Sequence, residues 1–96
     1  MVAAQIEPET TLRRTERAVH GDLPEETVLL DVEDGVALRL NPSGAFLWKR
    51  LEEEPVTVED LARSLAERFV IDEGQALDDT IAFAREMVRR KLLAAS

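Results

Sequence analysis

The sequence predicts an α+β domain in which a small three-stranded antiparallel sheet is followed by three helices. Three observations lead to that expectation. Two apolar runs, Thr27–Val32 and Val36–Leu40, flank Glu33-Asp34-Gly35 and read as a β-hairpin. Behind them come three segments whose apolar residues recur at helical spacing, each after a capping residue. The chain of 96 residues has no internal repeat or low-complexity tract, which suits one modest core.

In chain order, residues 1–10 carry no period and are expected to be a disordered start, with the domain over residues 11–96. Thr11–Val19 (TLRRTERAV) alternates weakly and reads as the first strand. His20–Thr27, with its Gly, Asp and Pro, reads as a loop, and His20 has no functional role there. The hairpin allows two registers. A two-residue turn at Asp34-Gly35 puts Asp31 on the face of Val36, Leu38 and Leu40. A three-residue loop with a left-handed Gly35 instead aligns Val28, Leu30, Val32, Val36, Leu38 and Leu40, leaving Leu29, Asp31, Ala37 and Arg39 opposite. The second register is expected, because it gathers the larger apolar set on one face.

Asn41-Pro42-Ser43-Gly44 starts the first helix, with Ser43 or Asn41 as cap. Gly44, Leu47, Trp48 and Leu51 form its inner stripe, with Trp48 as the core anchor, and Glu52-Glu53-Glu54-Pro55 ends it. Thr57 with Asp60 starts the second helix, whose stripe is Val58, Leu61, Ala62, Leu65, Ala66 and Phe69. Asp72 caps a third helix running to about Lys91. That helix has two apolar stripes. Leu77, Ile81, Ala84, Val88 and Leu92 form an expected core stripe, and Ala76, Thr80, Phe83 and Met87 lie beside it. The second set either packs into a neighbouring helix or lines a groove beside the sheet, a use for which methionine is well suited.

Composition excludes several functions. With no cysteine, the chain has no disulfide, thiolate metal site or cysteine nucleophile. One histidine leaves a zinc site or a histidine-based triad without its usual parts, so neither metal nor cofactor is expected. Carboxylates are abundant but show no catalytic pairing, and no enzymatic activity is expected. A net charge of −8 argues against nucleic acid, since a DNA-binding face gathers Lys and Arg. No stretch is apolar enough to span a membrane, and Met1–Thr10 lacks the features of a secretory signal, so the cytosol is the expected compartment.

The stretch TVLLDVEDGVALRLNPSGAFLWKRL, then TVEDLARSLAERF, then an acidic cap and a long helix, resembles PqqD-like proteins over Thr27–Leu93. These are recognition elements for ribosomally made, modified peptides. The resemblance implies a winged-helix-like fold and a leader peptide that adds as a strand along the third strand and packs against the third helix. Carried over here, the third strand supplies Val36, Ala37, Leu38, Arg39 and Leu40, and the helix supplies Thr80, Phe83, Ala84 and Met87. Leu38, Phe83 and Met87 are then the pocket candidates. Asp31, Glu33 and Asp34 are placed to attract a basic leader residue, or simply to form a solvated turn. Arg39 either pairs a leader carboxylate or guards the sheet edge. Arg85, Arg89, Arg90 and Lys91 complement the dipole at the end of the third helix, or contact a partner enzyme.

Many relatives have aromatic residues just after the hairpin turn, where this chain has Val36-Ala37, which puts the accepted leader residues in question. The segment Asn-Pro-Ser-Gly-Ala-Phe-Leu-Trp is similar to the lasso-peptide branch, whose partner is a separate leader peptidase. Three alternatives stay open: a winged-helix transcriptional regulator, a PqqD-type chaperone for a radical SAM enzyme, and a dimerisation module using the same sheet edge.

Overall fold

Backbone pairing sorts the strands into two small sheets. In the computed structural model, which describes residues 5–23 and 26–96, the first sheet holds β1 (Thr11–Arg14) and the second starts with β2 (Ala18–Leu23). The second continues through β3 (Glu26–Asp31) and β4 (Val36–Leu40) in the order β2-β3-β4, antiparallel throughout. Next come α1 (Pro42–Arg50), β5 (Val56–Thr57), α2 (Val58–Phe69), α3 (Glu73–Arg89) and β6 (Leu93–Ala95). β5 and β6 flank β1. The α+β class and the order of the three helices are as expected. β5 and β6 are not foreseen, because runs of two and three residues carry no readable alternation.

The single strand expected over Thr11–Val19 is in fact two, in different sheets. Thr15 marks the crossing. Its hydroxyl donates to the Lys91 carbonyl at 2.8 Å and its amide to the Leu92 carbonyl at 3.1 Å, which pins the corner to the end of α3. The loop expected over His20–Thr27 is largely strand: His20 pairs with Leu29 and Thr27 with Leu40. Pro24 and Glu25 of that loop lie outside the described residues.

The start of the chain also departs from expectation. Residues 1–4 lie outside the described residues, but Ile6 is buried at 5% exposure. The Pro8 and Thr10 carbonyls accept the Glu59 and Val58 amides at 2.8 and 2.9 Å. Residues 5–10 therefore satisfy two donors that the first turn of a helix would otherwise leave unpaired.

The helix starts are set locally, as the caps predict. Asn41 Oδ1 accepts from the Gly44 amide at 2.7 Å, and Thr57 Oγ1 from Asp60 at 3.3 Å. Asp72 accepts from Gly74 and Gln75 at 2.9 and 3.2 Å. α3 stops at Arg89 rather than Lys91, because Lys91 turns left-handed at φ 64°. The Leu92 amide then returns to the Met87 carbonyl at 2.9 Å, and the chain is released to pair as β6. The core lies between the helices and both sheets, around Trp48, Leu12, Leu29, Leu61, Leu65 and Leu92.

The hairpin register corrects the expected one. Asp31 pairs with Val36 and Leu29 with Leu38, so four residues, Val32–Gly35, form the loop. Gly35 does adopt the expected left-handed φ of 70°. The faces of β4 fall as foreseen, but those of β3 are inverted. Leu29 is fully buried, whereas Leu30 and Val32 are 44% and 52% exposed. The deciding residue is Asp31. Its carboxylate accepts the Glu33 and Asp34 amides at 3.0 and 3.2 Å, and its carbonyl takes the Gly35 amide at 2.8 Å. The Arg17 guanidinium, 3.0 Å from that carboxylate, holds Asp31 on the inner face, and this outweighs the apolar pattern of Val28, Leu30 and Val32.

Candidate functional site

β4 pairs with β3 on one side, and among the described residues no strand pairs with it on the other. An unpaired strand edge presents amide and carbonyl groups to any extended chain of suitable shape. Beside this edge, a cleft of about 330 Å³ separates β4 from the last turn of α3. Its apolar lining is Leu29, Val36, Leu38 and Leu92. Its charged lining is Arg17, Asp31 and Asp34 at the hairpin, facing Arg89, Arg90 and Lys91 at the helix end.

Arg17 organises the hairpin side. Its guanidinium meets Asp31 at 3.0 Å, Asp34 at 2.9 Å and Glu33 at 3.4 Å. Burial pushes the Asp31 carboxyl up, but the Arg17 hydrogen bond and the Asp34 and Glu33 amides outweigh it and hold the group below its ordinary value. The same Asp31 hydrogen bond holds Arg17 above its own. On the helix side, Glu86 reaches Arg89 at 2.6 Å and Arg90 at 2.5 Å, and these hydrogen bonds hold its carboxyl below the usual range. Arg14, one turn of chain before Arg17, is structural. It lies over the Trp48 ring at 4.3 Å and donates to the Trp48 carbonyl, and burial lowers its pKa.

The residues singled out from the sequence divide into three groups. Val36 and Leu38 line the cleft, and Ala37 and Arg39 are exposed on the opposite face of β4. Arg39 pairs with Glu26 at 2.9 Å. Asp31, Glu33 and Asp34, expected to attract a basic leader residue or to form a solvated turn, all engage Arg17, and Glu33 and Asp34 remain exposed.

The third group is sealed in the core. Thr80, Ala84 and Met87 are 0–1% exposed, and Leu40 is also buried. Thr80 gives its hydroxyl to the Ala76 carbonyl at 2.7 Å. Phe83 is half-buried with its ring against α1, 3.6 Å from where a Cβ on Gly44 would stand, and it does not line the cleft. The two stripes of α3 thus share the core: Ala76, Thr80 and Met87 are buried together with Ala84 and Leu92 of the expected core stripe, while Leu77, Ile81, Val88 and Phe83 are half-buried. Both stripes are apolar, so periodicity alone does not say which residues turn inward. The sequence reading missed Arg17, Leu29 and Leu92 as lining residues. An arginine preceding an acidic turn was the available signal for the first.

The family model for coenzyme PQQ synthesis protein D (PqqD) matches residues 26–93, more than half of the chain. The chain belongs to the PqqD family. Among curated proteins, none matches in sequence at a significant level. Two solved structures share its fold. TbiB1 in complex with the TbiA(beta) leader peptide superposes with a TM-score of 0.76 at 23% identity, covering 84% of this chain and 93% of that one. Lasso peptide synthetase B1 complexed with the leader peptide gives a TM-score of 0.75 at 20% identity, covering 86% of this chain and 96% of that one. As a PqqD-family domain, the chain shows no group of three or more His, Asp or Glu side chains placed to hold a metal, among the described residues. No described helix is long and apolar enough to cross a membrane.

Proposed function

We propose that this protein binds the leader segment of a ribosomally made precursor peptide, as a strand added along Val36–Leu40, and hands it to a separate leader peptidase or other modifying enzyme. In this reading it catalyses no step itself, and its setting is lasso-peptide maturation. The unpaired edge of β4 beside the cleft at the end of α3 carries the proposal. The two solved neighbours, which hold leader peptides, support it.

The energetics show why both edge and cleft are needed. Four backbone hydrogen bonds contribute about 2–6 kcal/mol net, at roughly 0.5–1.5 each. Micromolar affinity requires about 8 kcal/mol. Edge pairing therefore falls short. One or two leader side chains seated on Val36, Leu38 and Leu92, at about 1.5–3 kcal/mol each, make up the difference. The edge thus gives sequence-tolerant affinity, and the cleft chooses the guest.

The test is a fluorescence-polarisation titration with labelled leader segments of lasso precursors, combined with amide hydrogen exchange. Micromolar or tighter binding with new protection along Val36–Leu40 is expected. Binding that leaves those amides unprotected would overturn the strand-addition mode, and no binding to any leader would overturn the function.

A further inference from the structure

The two walls of the cleft carry opposite net charge, and this polarity points to a property of the guest. At the hairpin wall, Asp31, Glu33 and Asp34 all engage Arg17, and Asp31 also accepts two backbone amides. Three carboxylates there share one guanidinium, so that wall keeps negative charge. At the helix wall, Arg89 and Arg90 share the single carboxylate of Glu86. Lys91 lines the cleft with no carboxylate within ion-pair distance among the described residues. The helix end has also used its own acceptors: the Met87 and Val88 carbonyls take the Leu92 and Lys91 amides, both at 2.9 Å. The ammonium of Lys91 is therefore not needed to close the helix.

We propose that this cleft selects leader strands carrying an aspartate or glutamate two residues from a large apolar side chain. The inference rests on the strand-addition reading above. Side chains alternate along a strand, so guest residues on the face of Val36 and Leu38 enter the cleft at every second position. One such residue meets Val36, Leu38 and Leu92, and its same-face neighbour meets Lys91 and the arginine pair. A carboxylate there gains a partner that the fold leaves unmatched. A lysine or arginine at that position would face Arg89, Arg90 and Lys91 with only the Glu86 carboxylate between them.

Net charge confines an acidic guest residue to this end of the cleft. At −8, the chain attracts a basic peptide over much of its surface, whereas an acidic side chain finds favourable potential at few places.

Lys91 permits a clean test, because its φ of 64° suits glycine better than lysine. Lys91→Gly removes the ammonium without straining the turn. A randomised peptide-display library would be selected on the wild-type protein, on Lys91→Gly and on Lys91→Glu, with amide exchange reporting whether binders protect Val36–Leu40. Wild-type selections are expected to enrich the apolar-x-acidic pattern. The winners should bind Lys91→Gly roughly fivefold more weakly with no fall in Tm, and Lys91→Glu at least about tenfold more weakly. Selections on Lys91→Glu should turn to lysine and arginine at the acidic position. Binders that protect β4 but show no acidic preference and ignore residue 91 would overturn this inference and leave leader binding standing. Failure to recover any binder that protects β4 would overturn both.

Discussion

The Nε of Arg17 lies 3.0 Å from each carboxylate oxygen of Asp31, tying the corner between β1 and β2 to the turn between β3 and β4. This contact sets which face of β3 turns inward, and it forms one wall of the cleft. Replacing Arg17 by alanine is expected to lower Tm and weaken leader binding several-fold. Arg17→Lys should restore little of either, since an ammonium cannot serve three carboxylates in a fixed fork. Thermal unfolding and polarisation titrations of the two variants check this.

The same contact gives an acid sensitivity of known sign. Because the folded-state pKa of Asp31 is depressed, its stabilisation is fully present above the unfolded value near about 4. It is lost as pH falls through the depressed value. Glu86, also depressed, contributes in the same direction. Tm measured down an acid series should fall below about pH 4 in the wild type. Asp31→Asn should start lower at neutral pH and respond less steeply.

Leu29 and Leu30 provide a direct check of register. Leu29 is fully buried, so Leu29→Ala should cost about 2–5 kcal/mol. Leu30 is 44% exposed, so Leu30→Lys should stay within about 0.5 kcal/mol of wild type. Denaturant midpoints showing the opposite order would mean that β3 presents its other face.

Met87 is a core residue, and its substitution should act on stability rather than on recognition. Met87→Ala is expected to cost about 2–5 kcal/mol, and Met87→Asp to prevent folding. A folded Met87→Asp protein with only its peptide affinity reduced would return that side chain to the binding surface.

Val36 is 47% exposed at the mouth of the cleft, so a polar residue there is tolerated by the fold. Val36→Asp should keep the wild-type circular dichroism spectrum and lower leader affinity about tenfold, from lost apolar contact and a charge like that of the selected guest.

The features legible in the sequence were local ones. Asn41, Thr57 and Asp72 cap their helices through amides two or three residues away, so neighbouring residues contain the whole interaction. The outer and inner faces of β4 were equally readable, as were Trp48 as anchor and the left-handed Gly35. The cleft was legible only in part. Val36 and Leu38 were foreseen, but its charged walls were not, because Arg17 meets Asp31 across 14 positions and Thr15 meets Lys91 across 76.

By itself, the sequence determined the class of fold and the starts of its helices. Tertiary structure alone decided that Leu29 rather than Leu30 turns inward, that Met87 and Thr80 belong to the core, and that Thr11–Val19 divides between two sheets. The physical reason is the same in each case. Each choice lay between two apolar or two polar patterns of similar local merit, and partners distant in the chain, Arg17 for β3 and α1 and α2 for α3, settled it.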